Sequence, residues 1–447
     1  MQEVTLMQML EAREARAMEQ RRLLAEYRRP IICFTMNIPG PVKDSPLIRR
    51  AFDWGCGALD CRLPKSRVLY AAARRAVTGC EAVYVVDLDP LALKKLCAGV
   101  EDETELGRLF DMDVLDAEGR KLDRELVGGG SRNCIVCGAP GRGCASRRTH
   151  SVEELQRAAS GIMAGHFARR DAKEIGSLAV RSLLDEVCTT PKPGLVDRRN
   201  NGSHRDMDMF TFMASASALA PYFQVCAQTG MDTAGERPEE TFRQLRVQGL
   251  QAERDMFAAT GGVNTHKGAI FTMGILCGAA GRLWRPEGRW EREALFREVS
   301  AMTGQAMAED LSRGGGDTVG RRLYAQRGIS GIRGEAARGL PSVAEVGLPA
   351  YEAYRARGMD QNRAGAVTLL HLIAHVEDTN MVARGGPEGA ARGAGWAAEL
   401  IRDGREPTGE ELEELDDRFI RDNLSPGGCA DLLAAVYFVS RLTGGQR

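Results

Sequence analysis

The sequence predicts two domains, an N-terminal α/β or α+β domain over residues 1–165 and an all-α domain over residues 166–447. A chain of 447 residues is longer than a single hydrophobic core usually grows. Strand and helix patterns alternate up to about residue 150, whereas long Ala- and Leu-rich helical periods follow from Ser151. A glycine run at Gly128–Gly130 and the Gly- and Arg-rich stretch after it separate the two patterns, and the change of pattern from Ser151 places the boundary near residues 150–170.

The N-terminal elements mix the two periodicities. Residues 7–27 predict an amphipathic helix, because their apolar positions recur at offsets of three or seven between charges. Short apolar runs predict strands at 30–37, at 82–87 and within 106–114, with a helix over 90–97.

Beyond Ser151 strand patterns are nearly absent, so the second domain is predicted to be all-α. The predicted helices span residues 151–168, 172–188, 208–228, 238–260, 269–283, 291–313, 365–375 and 428–442. Polar, glycine-rich loops separate them, and two of these loops are residues 328–335 and 378–386.

The bulk composition excludes several classes of partner. A net charge of −1 creates no general field for nucleic acid or an anionic membrane, so an anion site must be a local pocket. No run approaches the ~18 apolar residues that span a bilayer, and a start that carries Glu3, Glu11 and Glu14 does not read as a signal peptide. We therefore expect a cytoplasmic protein that binds neither nucleic acid nor membrane, with its 12 cysteines mostly reduced.

Asp111 and Asp113 alternate with apolar residues in the third predicted strand, so both carboxylates point to one face. Their mutual repulsion would be relieved by a divalent cation, and Mg²⁺ held by one or two carboxylates plus substrate phosphates is a usual arrangement in phosphoryl and nucleotidyl transfer. The alternative is an exposed acidic strand without a metal.

Four residues of the glycine-rich stretch have the chemistry of a zinc site. Cys134, Cys137, Cys144 and His150 supply thiolate and imidazole ligands at spacings that could close a tetrahedron, although the match to a common zinc finger is imperfect. The alternative is a set of reduced thiols near a turn.

These segments resemble a known family. The helix from Leu10, the block Phe34–Lys43, the Asp111/Asp113 strand and the stretch from Arg132 to His150 are similar to the apo-citrate lyase phosphoribosyl-dephospho-CoA transferases, over about residues 1–165. The resemblance implies a nucleotidyltransferase-like domain that attaches the prosthetic group to a serine of the apo acyl carrier subunit of citrate lyase and releases pyrophosphate. It implies that Asp111 and Asp113 hold a metal and that Lys43 and Arg49 or Arg50 contact phosphate.

Lysine usage singles out two positions in the second domain. The chain has 52 Arg but only 8 Lys, and beyond Lys173 the remaining lysines are Lys192 and Lys267. Lys192 lies between two prolines that hold its backbone extended, and Lys267 precedes a predicted helix whose free amides could bind an anion. Both positions therefore predict contacts to phosphate, chance being the alternative.

Two further polar segments could bind metal. Asp206 and Asp208 could converge if they lie in an irregular lead-in to a helix, where its positive end would keep them ionised for Mg²⁺; a hydrogen-bonded capping loop is the alternative. His371, His375 and Asp378 fall at helical offsets of four and three, although an ordinary hydrogen-bonded helix end is the expected reading.

The second domain resembles the triphosphoribosyl-dephospho-CoA synthase family from about Asp171 to the C-terminus. The matching blocks, in order, are 186–187, 192–197, 202–208, 264–268, 333–336, 378–380, 384–386, 426–428 and 430–433. Such enzymes join ATP to 3′-dephospho-CoA through the ATP ribose and expel adenine. Against that background we expect Mg²⁺ at Asp206 and Asp208, and the other expected catalytic residues are Lys192, His204, His266, Lys267, Glu335 and Asp378. Asn264, Arg333, Asn380 and Arg384 are expected to bind substrate.

The two resemblances together predict a fusion of successive enzymes, in which the product of the second domain is the substrate of the first. Two alternatives stay open at this point. One is the equivalent pathway for malonate decarboxylase, which uses the same prosthetic group, and the other is a catalytically inactive scaffold organised around zinc.

Overall fold

The computed structural model describes residues 2–130, 132–139, 144, 147, 149–286, 288–312 and 331–444. The chain divides into two compact units, Met1–Ala168 and Arg169–Arg447. Parts of two predicted segments, the end of helix 291–313 and the start of loop 328–335, lie outside the described residues. No helix in the described part of the chain is long and apolar enough to cross a membrane.

The N-terminal unit is built on one antiparallel sheet of four strands in the order β2-β3-β1-β4. The strands are β1 (Ile31–Met36), β2 (Val68–Ala76), β3 (Gly79–Val86) and β4 (Phe110–Leu115). Every neighbouring pair is antiparallel, which makes the unit α+β and decides between the two predicted classes. Strand β2 was not predicted, because its Ala- and Arg-rich sequence has weak strand propensity.

Three helices pack on this sheet: α1 (Leu6–Tyr27), α2 (Pro46–Arg62) and α3 (Pro90–Asp102). On one face Phe34 stacks on Phe52 of α2, with ring centroids 5.0 Å apart. On the other face Leu23 of α1 packs with Ile31 and Val85. Side chains of α3 bind the outer backbone groups of the edge strand β4. Glu101 accepts from the Met112 amide (2.8 Å), and Lys94 donates to the Met112 carbonyl (3.1 Å).

The C-terminal unit is helical, as predicted. Its helices are α4 (Val152–Cys188, which begins in the first unit), α5 (Met209–Ala218), α6 (Ala220–Asp232), α7 (Pro238–Ala259), α8 (Lys267–Arg282), α9 (Arg292–Ser312), α10 (Gly331–Ala337), α11 (Leu348–Ala356), α12 (Gln361–His375), α13 (Thr379–Leu400), α14 (Gly409–Arg421) and α15 (Gly427–Thr443).

Several predicted boundaries were wrong. The helices predicted at 151–168 and 172–188 are the single helix α4, and the helix predicted at 208–228 divides between α5 and α6 before Pro221. The loop predicted at 378–386 is instead the start of α13, where the Asp378 side chain accepts from the Asn380 and Met381 amides.

Helix α8 runs through the core of the C-terminal unit. Glycines let α6 approach it closely, because a Cβ at Gly230 would lie 2.0 Å from the Gly278 carbonyl oxygen and a Cβ at Gly281 would lie 2.0 Å from the Ala227 carbonyl oxygen. The packing fixes the N-terminus of α8, and with it Lys267, beside a cavity of the unit.

Candidate active sites

A cavity of about 880 Å³ in the C-terminal unit gathers residues from the separated sequence blocks. Its walls come from the end of α4 and the loop after it, the N-termini of α8, α13 and α15, and helix α10. Among the residues predicted from sequence, those that line it are Lys192, His204, Asn264, His266, Lys267, Arg333, Glu335, Asp378, Asn380 and Arg384.

Asp206 and Asp208 are not among the residues that line this cavity. Asp206 is exposed, and Asp208 is the N-cap of α5: its Oδ1 accepts from the Thr211 amide (2.8 Å) and hydroxyl (2.7 Å). These bonds keep the pKa of Asp208 below its usual value. The structure thus gives Asp208 the capping role, and Mg²⁺ binding by this pair stays a prediction that the geometry does not favour.

Lys192 is buried, with 1% of its side chain exposed, and its ammonium forms an ion pair with Glu186. Its backbone amide donates to Asp197 Oδ2 (2.9 Å), which fixes the turn after α4. Burial raises the pKa of Glu186, and the Lys192 charge opposes that rise. Lys192 therefore lines the cavity with its ammonium already paired to Glu186. The sequence had instead predicted that this ammonium would contact phosphate.

Lys267 differs from Lys192 in exposure. It is the first residue of α8, its side chain is 46% exposed, and its Nζ lies 2.7 Å from Glu253 Oε2. An exposed ion pair of this kind is weak and exchanges readily for another anion. Lys267 is therefore the better placed of the two lysines to bind a phosphate at the helix N-terminus.

His266 is buried beside Lys267. Its Nδ1 lies 2.7 Å from Ser215 Oγ, and Phe212 packs against its ring edge-on at 5.0 Å. Its Nε2 is buried without a hydrogen-bond partner among the residues that the structure describes. Burial and the Lys192 charge lower the pKa of His266 to about 3, so the ring is neutral at physiological pH.

Hydrogen bonds hold the other predicted residues in the cavity wall. Glu335 accepts from the Ser342 amide and hydroxyl, both at 3.0 Å. Arg384 donates to the Ser203 carbonyl (2.9 Å), and His204 Nε2 lies 2.9 Å from Ser425 Oγ. Burial and the Arg384 charge lower the pKa of His204. These contacts tie the loop at 202–208 to the starts of α13 and α15.

Asp378 bridges two helix N-termini. It is 3% exposed, and besides capping α13 it accepts from the Cys429 amide of α15 at 2.8 Å. The alternative of a metal face with His371 and His375 is not supported: His371 Nε2 lies 3.0 Å from the Tyr354 hydroxyl, and His375 Nδ1 lies 2.7 Å from the His371 carbonyl oxygen. The hydrogen-bonded helix end is the correct interpretation.

Sequence reasoning missed two acidic residues of the cavity, Glu186 and Asp431. Both lay inside blocks that were recognised, but no role was given to them. An aspartate that interrupts the apolar run of α15 was the available signal for Asp431, since an ionisable group in such a run needs a compensating partner.

In the N-terminal unit Asp111 and Asp113 face the same side of β4, as the alternation predicts. Asp113 Oδ2 lies 2.7 Å from Lys121 Nζ, and Asp111 pairs in register with Thr35 of β1. Partial desolvation and the neighbouring Asp113 charge raise the pKa of Asp111.

The residues predicted to bind phosphate in this unit already contact other groups of the protein. Lys43 donates from Nζ to the Ile38 carbonyl, and burial together with the Arg13 charge lowers its pKa. Arg49 binds Asp44 through two hydrogen bonds of 2.7 and 2.5 Å. Either side chain would have to exchange a contact to bind phosphate.

The four predicted zinc ligands of the cysteine-rich stretch are all among the described residues and lie close together. One potential ligand atom from each of Cys134, Cys137, Cys144 and His150 lies within 4.8 Å of the others, and the Sγ atoms of Cys137 and Cys144 are 3.4 Å apart. Backbone amides, with that of Cys137 contributing most, lower the pKa of Cys134 to about 7. The predicted Cys₃His set is therefore present.

Comparison with known proteins assigns each unit. Residues 4–166 match the family model of apo-citrate lyase phosphoribosyl-dephospho-CoA transferase. Residues 172–447 match that of ATP:dephospho-CoA triphosphoribosyl transferase. Both resemblances read from the sequence are confirmed.

Relatives exist that carry both halves in one chain. A protein named CitXG from Haemophilus influenzae is 34% identical over 98% of this chain and 96% of its own, and one from Leuconostoc mesenteroides is 32% identical over 99% and 98%. A 2-(5″-triphosphoribosyl)-3′-dephosphocoenzyme-A synthase from Klebsiella pneumoniae is 41% identical over 61% of this chain and 92% of its own. The chain is therefore an enzyme of the CitXG family, in which a CitX and a CitG domain share one polypeptide.

Proposed function

We propose that this chain makes the prosthetic group of citrate lyase and attaches it. The C-terminal unit converts ATP and 3′-dephospho-CoA into triphosphoribosyl-dephospho-CoA and adenine. The N-terminal unit transfers the phosphoribosyl-dephospho-CoA part to a serine of the apo acyl carrier subunit and releases pyrophosphate. The supporting observation is the single cavity in which residues of the separated CitG blocks meet.

In the synthase reaction a ribose hydroxyl of dephospho-CoA attacks the anomeric carbon of the ATP ribose while adenine leaves. The transition state has oxocarbenium character, like that of glycoside cleavage. Lys267, Arg333 and Arg384 line the cavity and offer positive charge to the triphosphate, together with the backbone amides of Lys267 and Gly268 at the N-terminus of α8. The neutral His266 offers Nε2 as a hydrogen-bonding group to the bound substrate.

In the transferase reaction the carrier serine oxygen forms a bond to the phosphorus nearest the transferred ribose. The bond from that phosphorus to the pyrophosphate oxygen breaks in line with the attack, and the serine proton leaves to a base. Asp111 and Asp113 are the residues that would hold Mg²⁺, since paired oxygen ligands on one strand face suit that ion. Bound there, the ion would neutralise charge on the phosphates.

Zinc binding by Cys134, Cys137, Cys144 and His150 belongs to the same proposal. Three thiol sulfurs and one imidazole nitrogen match a closed structural zinc site, and His150 Nε2 is buried without a partner in the described part of the chain. A zinc ion held there would fix the stretch that follows β4. Metal analysis of the purified protein tests this, with one equivalent expected for wild type and loss of that zinc for Cys137→Ser.

The whole proposal is tested with two readouts on one sample. Wild-type protein mixed with ATP and 3′-dephospho-CoA should release adenine, and the mixture should then label the apo carrier of citrate lyase. Appearance of ADP or AMP in place of adenine would contradict the synthase assignment. Labelling of a malonate decarboxylase carrier in preference to the citrate lyase carrier would change the assigned partner.

A further inference from the structure

Asp431 lies in the first turns of α15, on the wall of the synthase cavity. The residues that follow it, Leu432 and Leu433, belong to the buried core. Asp431 is only partly exposed, and it has no ion pair among the described residues to compensate for the hydration that its carboxyl group loses. Its position is costly for stability, which points to a use in the cavity.

The close contact between Asp431 and the start of α8 is built into the sequence. A Cβ at position 268 would lie 1.9 Å from Asp431 Oδ2, so the glycine leaves room for the carboxyl group in its present orientation. The Ala269 amide donates a hydrogen bond to it. The glycine that follows Lys267 thus seats Asp431 beside His266 and Lys267, at the place where the phosphate-binding helix end begins.

The groups that face Asp431 favour its neutral form. Glu186 and Asp378 are negative neighbours of Asp431. The two lysines of the cavity are each paired with another carboxylate, Lys192 with Glu186 and Lys267 with Glu253. Burial and these two carboxylates raise the pKa of Asp431 well above its usual value, and the hydrogen bond from the Ala269 amide lowers it by less. These surroundings therefore favour the protonated form of a carboxyl group that borders a cavity for an anionic substrate.

We propose that Asp431 is the catalytic acid that protonates adenine as it leaves the ATP ribose. This inference rests on the proposed synthase activity. The bond between the anomeric carbon and adenine N9 breaks with its electron pair going to adenine, and a ring nitrogen of adenine takes the Asp431 proton. The attacking ribose hydroxyl forms the new bond to the anomeric carbon and loses its proton to solvent, from which Asp431 is reprotonated. One proton therefore moves, in net terms, from the hydroxyl to adenine.

The test compares two substrates. ATP methylated at N7 carries a positively charged base that leaves without protonation, so it bypasses an acid. Asp431→Asn keeps the shape and can still accept from the Ala269 amide, but it supplies no carboxylic proton. We expect it to lower adenine release from ATP by a factor of about 10²–10⁴, and to leave release of the methylated base, corrected for the uncatalysed rate, within about tenfold of wild type.

Equal losses on both substrates would show that Asp431 binds substrate or holds the fold, and no loss on either would show that it is idle; each result overturns the proposal. Asp255→Asn, an exposed change on α7, is the matched control and should behave as wild type. Absence of adenine release by wild type itself would instead contradict the synthase assignment.

A second measurement needs no variant. With wild-type protein, the rate on ATP should fall as pH rises through the pKa of Asp431, because the acid must be protonated, whereas the rate on methylated ATP should lack that fall. Identical pH profiles for the two substrates would contradict the assignment of Asp431 as the acid even if Asp431→Asn does not fold.

Discussion

The acidic residues of the two candidate sites differ in exposure. In the C-terminal unit Glu186 is 4% exposed and Asp378 is 3% exposed, and both have hydrogen-bond or ion-pair partners. In the N-terminal unit Asp111 is exposed on the edge strand of the sheet. A cavity lined by buried groups can exclude water around two small substrates and shift the pKa of its acids. The proposed carrier reaction instead brings a serine on another folded protein to the enzyme, and exposed residues on an edge strand are accessible to such a partner. Exposure in the two units thus matches the size of the substrate proposed for each unit.

Asp111→Asn should give the largest effect and separate the two reactions. We expect carrier labelling to fall by a factor on the order of 10²–10³, because one oxygen ligand of the proposed Mg²⁺ site is lost, while adenine release stays unchanged. Glu118→Gln, an exposed change in the turn after β4, is the control. If both activities fall together, the division of labour between the two units is wrong.

Lys192→Met tests how much the buried ion pair of the C-terminal unit contributes to the free energy of unfolding. Removing one partner of a buried ion pair leaves Glu186 uncompensated and should lower the free energy of unfolding by about 3–5 kcal/mol. Lys267→Met is the matched variant, and loss of its half-exposed pair should cost about 1 kcal/mol or less. Denaturant unfolding monitored by helical signal measures both, and equal costs would contradict the contrast in burial.

His266→Gln should change how stability depends on pH. The pKa of His266 is lowered to about 3, so its neutral form contributes stability that is present above the unfolded value of about 6.5 and is lost as pH falls toward 3. Between pH 7 and pH 5 wild type should lose about 2 kcal/mol more than the variant. Parallel stability curves for the two proteins would show that His266 is not held neutral by the fold.

Lys267→Met should have the smallest effect on activity. With one of several positive groups removed from the proposed triphosphate site, we expect KM for ATP to rise about tenfold with little change in kcat. A loss confined to kcat would place Lys267 at the reacting atoms and away from the phosphates.

The comparison also separates what local sequence can and cannot predict. Asp111 and Asp113 were correctly placed on one face because strand alternation is a local rule, and the structure adds only the Lys121 contact. Asp206 and Asp208 have a similar spacing, yet Asp208 caps a helix. Capping and metal binding use the same residue types near a helix N-terminus, so spacing alone could not choose between them.

Several elements were missed for identifiable reasons. Strand β2 is mostly exposed and rich in Ala and Arg, which favour helix, and pairing with β3 overrides that preference. Helix α14 was missed because it is largely charged. The capping box formed by Thr408 and Glu411 is a sequence signal that could have predicted where this helix begins.

The sequence by itself determined the two families, the helical and strand periods and the glycine-rich blocks that form the cavity, because these depend on residues close together in the chain. Tertiary structure alone decided which acids border the substrate: Asp431 of α15 meets Gly268 of α8 only after both helices pack. It also decided that Lys192 is paired and Lys267 accessible. Burial and long-range contacts set charge and pKa, and neither is encoded in the spacing of neighbouring residues.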